Sequence, residues 1–133
     1  RVSAMTMHSP ESRPTAPVDQ RAWQALSLRW AALHDAAAAV AALAGLAPEK
    51  PDQAVRSLPA RARDAGGARF MLAEQGVADI AAVMQPGLAA LLAVNARGQD
   101  ATVPALALWQ EFHAARSAVL ALIPAEGTHR RNA

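Results

Sequence analysis

The chain has 133 residues, 36 of them alanine, with 53% hydrophobic and 18% charged positions, a formal net charge of +2 and no cysteine. That length holds one domain, and the apolar fraction is too high and the charged fraction too low for a wholly disordered chain. The absence of cysteine removes disulfide scaffolds, thiol catalysis, Cys-ligated zinc and iron–sulfur clusters together.

Residues 1–17 carry Pro10, Pro14 and Pro17 among Ser and Thr, without an apolar core. They read as a flexible tail and not as a secretory signal. The domain proper is expected over 18–124, followed by a polar tail over 125–133. Asp19 is placed to cap the first helix, with Val18 before it as one half of a hydrophobic staple. From there Trp23, Leu26, Trp30, Leu33, Ala37, Val40 and Ala44 repeat at spacings of three and four, the stripe of a helix running from about residue 20 to 46. Gly45 and Pro48 end it.

Residues 48–67 are broken by Pro48, Pro51, Pro59 and the Gly66-Gly67 pair, which leaves room for short helices at about 52–58 and 59–65. A long helix follows from near Ala68. Phe70, Val77, Met84 and Leu91 lie seven apart, with Ala73, Ile80, Gly87 and Val94 interleaved. The apolar phase runs straight past Pro86, so one continuous, kinked helix is expected, not two. Arg97 and Gly98 supply its end. Asp100 or Thr102 caps the last helix, and Leu108, Phe112, Ala115, Val119 and Leu122 form its stripe, broadened by Trp109 and Ile123. Pro124 closes it. No alternating run is long enough for a sheet. The expected fold is all-α: an antiparallel bundle of three long helices plus a short connecting helical element.

Twelve arginines stand against one lysine, which raises the isoelectric point to about 10.4 without concentrating charge on one face. Nucleic acid is therefore not the expected partner. The Arg-for-Lys preference and the alanine content match a GC-rich bacterial genome. Two uncharged stretches, 36–47 and 80–96, fall short of the roughly 20 residues that span a bilayer. They read as buried helix, and a cytoplasmic chain without membrane contact is expected.

No Glu-x-x-His or His-Glu-x-x-His motif is present, and His34, Asp35, Glu74, Asp79 and His113 would have to meet across helices to hold a metal. Neither a metal nor a cofactor is expected. There is no Gly-x-Ser-x-Gly, and the glycine pair at 66–67 is a turn and not a phosphate loop. Arg29 and His34, five apart, diverge by about 140° on a helix. His113-Ala-Ala-Arg116-Ser117-Ala118 places a cation one turn after a histidine. Over these six residues the chain resembles the His-x-x-Lys-Gly/Ser pattern of histidine phosphotransfer bundles, with Arg116 in place of the lysine. That resemblance implies a phosphorylated His113 with Arg116 neutralising the phosphoryl group. Arg56, Arg61, Arg63 and Arg69 form a second candidate, a group of guanidiniums able to hold an anion.

Trp23 and Trp30 lie seven apart on one stripe and Trp109 at the edge of another; tryptophan is enriched at interface hot spots. The overall expectation is a non-enzymatic bundle acting through protein–protein interaction. Its surface would be built on Trp23, Trp30 and Trp109, and its partner would be a second copy or another helical protein. Phosphotransfer or anion binding at His113/Arg116 or the Arg56–Arg69 group is the alternative.

Overall fold

The computed structural model describes residues 17–124, and within them the protein is all-helical. Five helices follow in chain order: α1 Gln20–Leu43, α2 Gln53–Arg56, α3 Leu58–Ala65, α4 Gly67–Ala96 and α5 Thr102–Leu122. The three long helices pack on one another, while α3 closes against α1 and α4. The expected tails at 1–16 and 125–133 lie outside the described residues.

The core follows the spacing of the larger apolar side chains. Leu26, Trp30, Leu33, Ala37 and Val40 of α1 are buried, and face Phe70, Val77, Ile80, Met84 and Leu91 of α4. On α5 the buried line is Ala105, Phe112, Arg116 and Val119, continued by Ile123 beyond the helix. This corrects the stripe read from sequence by one position at 115/116 and at 122/123, where Ala115 and Leu122 are only half-buried. Each fully buried Leu or Phe contributes roughly 1.5–3 kcal/mol over its exposed state. Alanine contributes far less, so close helix approach matters here. Gly76 and Gly87 provide it on α4: a Cβ built on Gly76 would lie 2.8 Å from Val119, and one on Gly87 would lie 2.7 Å from Leu108.

The helix ends follow local chemistry. α1 stops at Leu43, three residues before the expected end, because Gly45 turns left-handed at φ +76°. The Leu46 N–H then donates to Ala41 O and the Gly45 N–H to Ala42 O, the paired bonds of a Schellman motif. Gly98 repeats this at the end of α4, also at φ +76°, with Gln99 donating to Val94 O. Asp19 occupies the cap position of α1 without a side-chain cap bond. Asp52 does cap α2, accepting from the Val55 N–H at 3.1 Å. For α5 the cap position falls on Ala101, not on Asp100 or Thr102; Asp100 instead accepts from the Thr102 N–H and hydroxyl at 2.9 and 2.6 Å.

α4 passes through Pro86 without interruption. Its outward half departs from the expectation of a buried helix. By length and composition the whole helix is long and apolar enough to cross a membrane, yet only 22% of an 18-residue apolar stretch of it is buried. Met71, Leu72, Val83 and Leu92 are exposed there, among exposed alanines at 78, 82, 89, 90 and 93.

Candidate functional site

The second half of α1, the loop from 44 to 52 and α5 enclose a recess of about 220 Å³. Ala37, Ala38, Ala41 and Ala42 form its helical wall; their methyl side chains leave the space that larger residues would fill. Leu46, Pro48 and Pro51 supply the loop side, and Trp109 stands across from them on α5. Glu49 and His34 are its polar members.

Glu49 is held in place by Arg116, which donates from both terminal nitrogens to the two carboxylate oxygens at 2.9 and 2.7 Å. The Arg116 side chain is only 4% exposed, whereas that of Glu49 is 34% exposed at the recess. The Arg116 hydrogen bonds hold the Glu49 carboxyl below its usual range, against the opposing effect of partial burial. The guanidinium also lies 5.1 Å from the Phe112 ring centre. Phe112 in turn braces Trp109, with ring centres 5.4 Å apart.

His34 closes the chain of aromatic contacts, 4.6 Å from the Trp30 ring and 5.6 Å from Phe112. Its Nδ1 donates to the Trp30 carbonyl at 2.8 Å, which fixes the neutral tautomer with the proton on Nδ1. Nε2 is left as a buried acceptor with no partner among the described residues. Burial lowers the His34 pKa, so the ring remains neutral at pH 7. Trp30 Nε1 donates to the Val55 carbonyl at 2.8 Å and locks α2 beneath α1.

The tryptophans therefore divide. Trp30 is 5% exposed and lies in the core, which corrects its reading as an interaction-surface residue. Trp23 is half-buried beneath the Arg63 guanidinium, 4.7 Å from its ring centre. Trp109 lines the recess that holds Glu49 and His34, while Trp23 borders a more open one with Gln24, Ser27 and Leu28.

The four arginines do not assemble. Arg56 turns to the Pro51 carbonyl and Gln53 Oε1. Arg61 donates to Ser57 and to the carbonyls of Ala54 and Ile123, tying α3 to the residue after α5. Arg63 pairs with Asp64 and covers Trp23, and Arg69 stands exposed on α4. Carbonyls and nearby side chains engage three of these heads, which corrects the anion-binding group. The pairing of His113 with Arg116 is corrected in the same way. His113 is exposed on α5, while Arg116 points inward to Glu49. Among the described residues, no group of three or more His, Asp or Glu side chains is placed to hold a metal ion.

Sequence reasoning missed the Arg116–Glu49 pair, although half of its signal was present. Arg116 falls on the same three-and-four spacing as Phe112 and Val119, and a charged residue on a core phase calls for a partner. Nothing local marks Glu49, 67 positions away in a proline-flanked loop. Comparison with protein-family profiles, curated proteins and solved structures finds no match to this chain.

Proposed function

We propose that the protein acts by binding and not by catalysis, and that it self-associates through the outer face of α4. The observation that carries this reading is the exposure of that face. Met71, Ala78, Ala82, Ala89 and Leu92 all lie outward along a single helix, at spacings that are multiples or sums of three and four. No charged side chain interrupts α4 from Ile80 to Ala96. A helix with large apolar area on every side is ordinarily covered on every side, and α1, α3 and α5 cover only part of this one, whose outward residues from Ile80 are polar only at Gln85 and Asn95. Small residues along the stripe let a second helix approach closely, and a two-fold interface needs only a self-complementary patch.

The finer architecture belongs to the same proposal: α1, α4 and α5 form the three long members of an antiparallel bundle, linked by α2 and α3. The approaches of Gly76 to Val119 and of Gly87 to Leu108 support opposed directions for α4 and α5, since one number rises as the other falls. The short 97–101 connection supports it as well.

From Met71 to Leu92 the stripe is about 32 Å long at 1.5 Å per residue. A contact strip about 10 Å wide along it buries roughly 640 Å² between two copies. Even with the flanking Leu72 and Val83 it stays below the ~1,200–2,000 Å² typical of specific interfaces. The expected dimer therefore dissociates on dilution. Light scattering should give about twice the chain mass of 13.9 kDa at high micromolar concentration, and high salt should not reduce it. Ala82→Glu and Ala89→Glu, both at exposed positions, should restore the monomer with the helical content unchanged. A monomer at every concentration, or a dimer indifferent to both substitutions, refutes the proposal; so does a monomer that floats with phospholipid vesicles, which would make lipid the covering phase.

A further inference from the structure

The recess between α1, the 44–52 loop and α5 has features that the α4 surface does not explain. We propose that it is a binding site for one small, uncharged, flat ring system bearing a single N–H or O–H donor. The ring would lie between Trp109 and the alanine wall, with the donor on the Glu49 carboxylate.

Volume sets the size. A closed apolar cavity of about 150 Å³ accepts benzene, so about 220 Å³ admits one ring or a fused pair. Nucleotides and most cofactors fill the ~300–1,000 Å³ of larger sites and would project from this one into solvent. Charge sets the class. Glu49 is neutralised by Arg116, and His34 is uncharged at pH 7 because burial lowers its pKa. A charged ligand would meet no net opposite charge, whereas a neutral apolar body meets Ala38, Ala42, Leu46 and the Trp109 side chain.

Rigidity points the same way. A buried ion pair is a poor source of stability, because desolvation of the charges offsets most of their attraction. What the Arg116 pair does achieve is to fix the orientation of Glu49. Its carboxylate oxygens each spend one acceptor site on Arg116, and the partly exposed group keeps others free for a ligand donor. Trp109 is braced by Phe112, which also meets Arg116 and His34. The ring face and the hydrogen-bond acceptor are thus held by one connected set of side chains, the arrangement of a preorganised site.

The test titrates the full chain with indole and, separately, with indene, which has the same shape and lacks the donor. Binding is read from the methyl resonances of Ala38 and Ala41 and the indole N–H resonance of Trp109. Saturable indole shifts at these groups are expected, with indene about tenfold weaker, the scale of one hydrogen bond to a charged acceptor. Ala42→Phe at an exposed position fills the recess from its own wall and should abolish saturation while leaving the thermal melt unchanged. Linear shifts up to the solubility limit of indole overturn the site. Saturation that persists in Ala42→Phe places the binding elsewhere and overturns it too. Equal affinity for indole and indene overturns the role given to Glu49. None of these readouts depends on oligomeric state, so failure here is distinct from failure of the α4 dimer.

Discussion

The two ends of the Arg116–Glu49 pair should respond very differently to removal. Breaking a buried ion pair from one side typically costs about 3–5 kcal/mol, because the remaining charge is stranded out of water. Here the burial is asymmetric: Arg116 is 4% exposed and Glu49 is 34% exposed. Glu49→Ala strands the buried guanidinium against Phe112. Solvent screening at the exposed end discounts the range, and a loss of about 2–3 kcal/mol is expected. Arg116→Met removes the buried charge, keeps an unbranched stem against Phe112 and leaves Glu49 able to rehydrate; about 1 kcal/mol or less is expected. In a domain of between 100 and 150 residues 1 kcal/mol corresponds to roughly 4 °C. Glu49→Ala should therefore lower Tm by roughly 8–12 °C and Arg116→Met by about 4 °C or less. The double variant should resemble Arg116→Met, since the stranded charge is gone. Circular dichroism melts and urea titrations of the four proteins decide it. If Arg116→Met is as costly as Glu49→Ala, the stability resides in the packing of the arginine stem and the charge-stranding account is wrong.

Gly76→Ala and Gly87→Ala should separate although both gain about 1 kcal/mol of helix propensity. The stiff, buried Val119 meets the first new methyl and should turn the gain into a net loss of about 1 kcal/mol, whereas the half-buried Leu108 can rotate away and leave Gly87→Ala neutral or stabilised; equal urea midpoints would contradict this. Because burial lowers the folded His34 pKa, its contribution to stability is complete above the unfolded value near 6.5 and is lost as pH falls through the folded one. Glu49, held low by Arg116, adds a second loss as pH drops below about 4.5. Urea midpoints should accordingly decline from pH 7 to 5, and His34→Phe should flatten that window and leave the lower one intact; an unchanged slope in the variant would exclude His34 as its source. Trp30→Phe leaves the Val55 carbonyl without its donor and should cost about 1–3 kcal/mol by chemical denaturation, a change under 0.5 kcal/mol being incompatible with a buried bond at that position.

Features that depend on a few adjacent residues could be read directly from sequence. Gly45 and Gly98 end α1 and α4 because only a residue at ease with positive φ completes the Schellman bonds, and that requirement is local. The continuity of α4 through Pro86 was equally legible. Pro86 and the residue one turn before it, Ala82, both face solvent, so water can satisfy the carbonyl that the missing N–H leaves free. Features created by partners distant in sequence were not legible. Trp23 and Trp30 share one stripe and look alike in sequence; Val55 of α2 covers the buried one and Arg63 of α3 the half-buried other, contacts that spacing does not record. The arginines of 56–69 read as a charged group because spacing records neither Ile123 nor Pro51 as the acceptor of a guanidinium.

α4 exposes a deeper limit of periodic reading. A polar face normally reveals which side of a helix is outward, but the outward side of this helix is itself largely apolar, broken only at Arg69, Gln75, Asp79, Gln85 and Asn95, so its phase carries size more than polarity. Phe70, Val77, Ile80, Met84 and Leu91 go inward and alanine predominates outward, because burying the larger side chains removes more apolar area from water. Size sorting of that kind completes a core without producing a wetted surface. The side that remains is smooth and uncharged from Ile80 onward, flanked by Met71, Leu72, Val83 and Leu92. A monomer that gained nothing from covering this side would be free to carry Lys or Glu there, as exposed helix positions commonly do. The absence of those charges, more than the presence of any tryptophan, makes α4 the part of the molecule through which assembly should be sought.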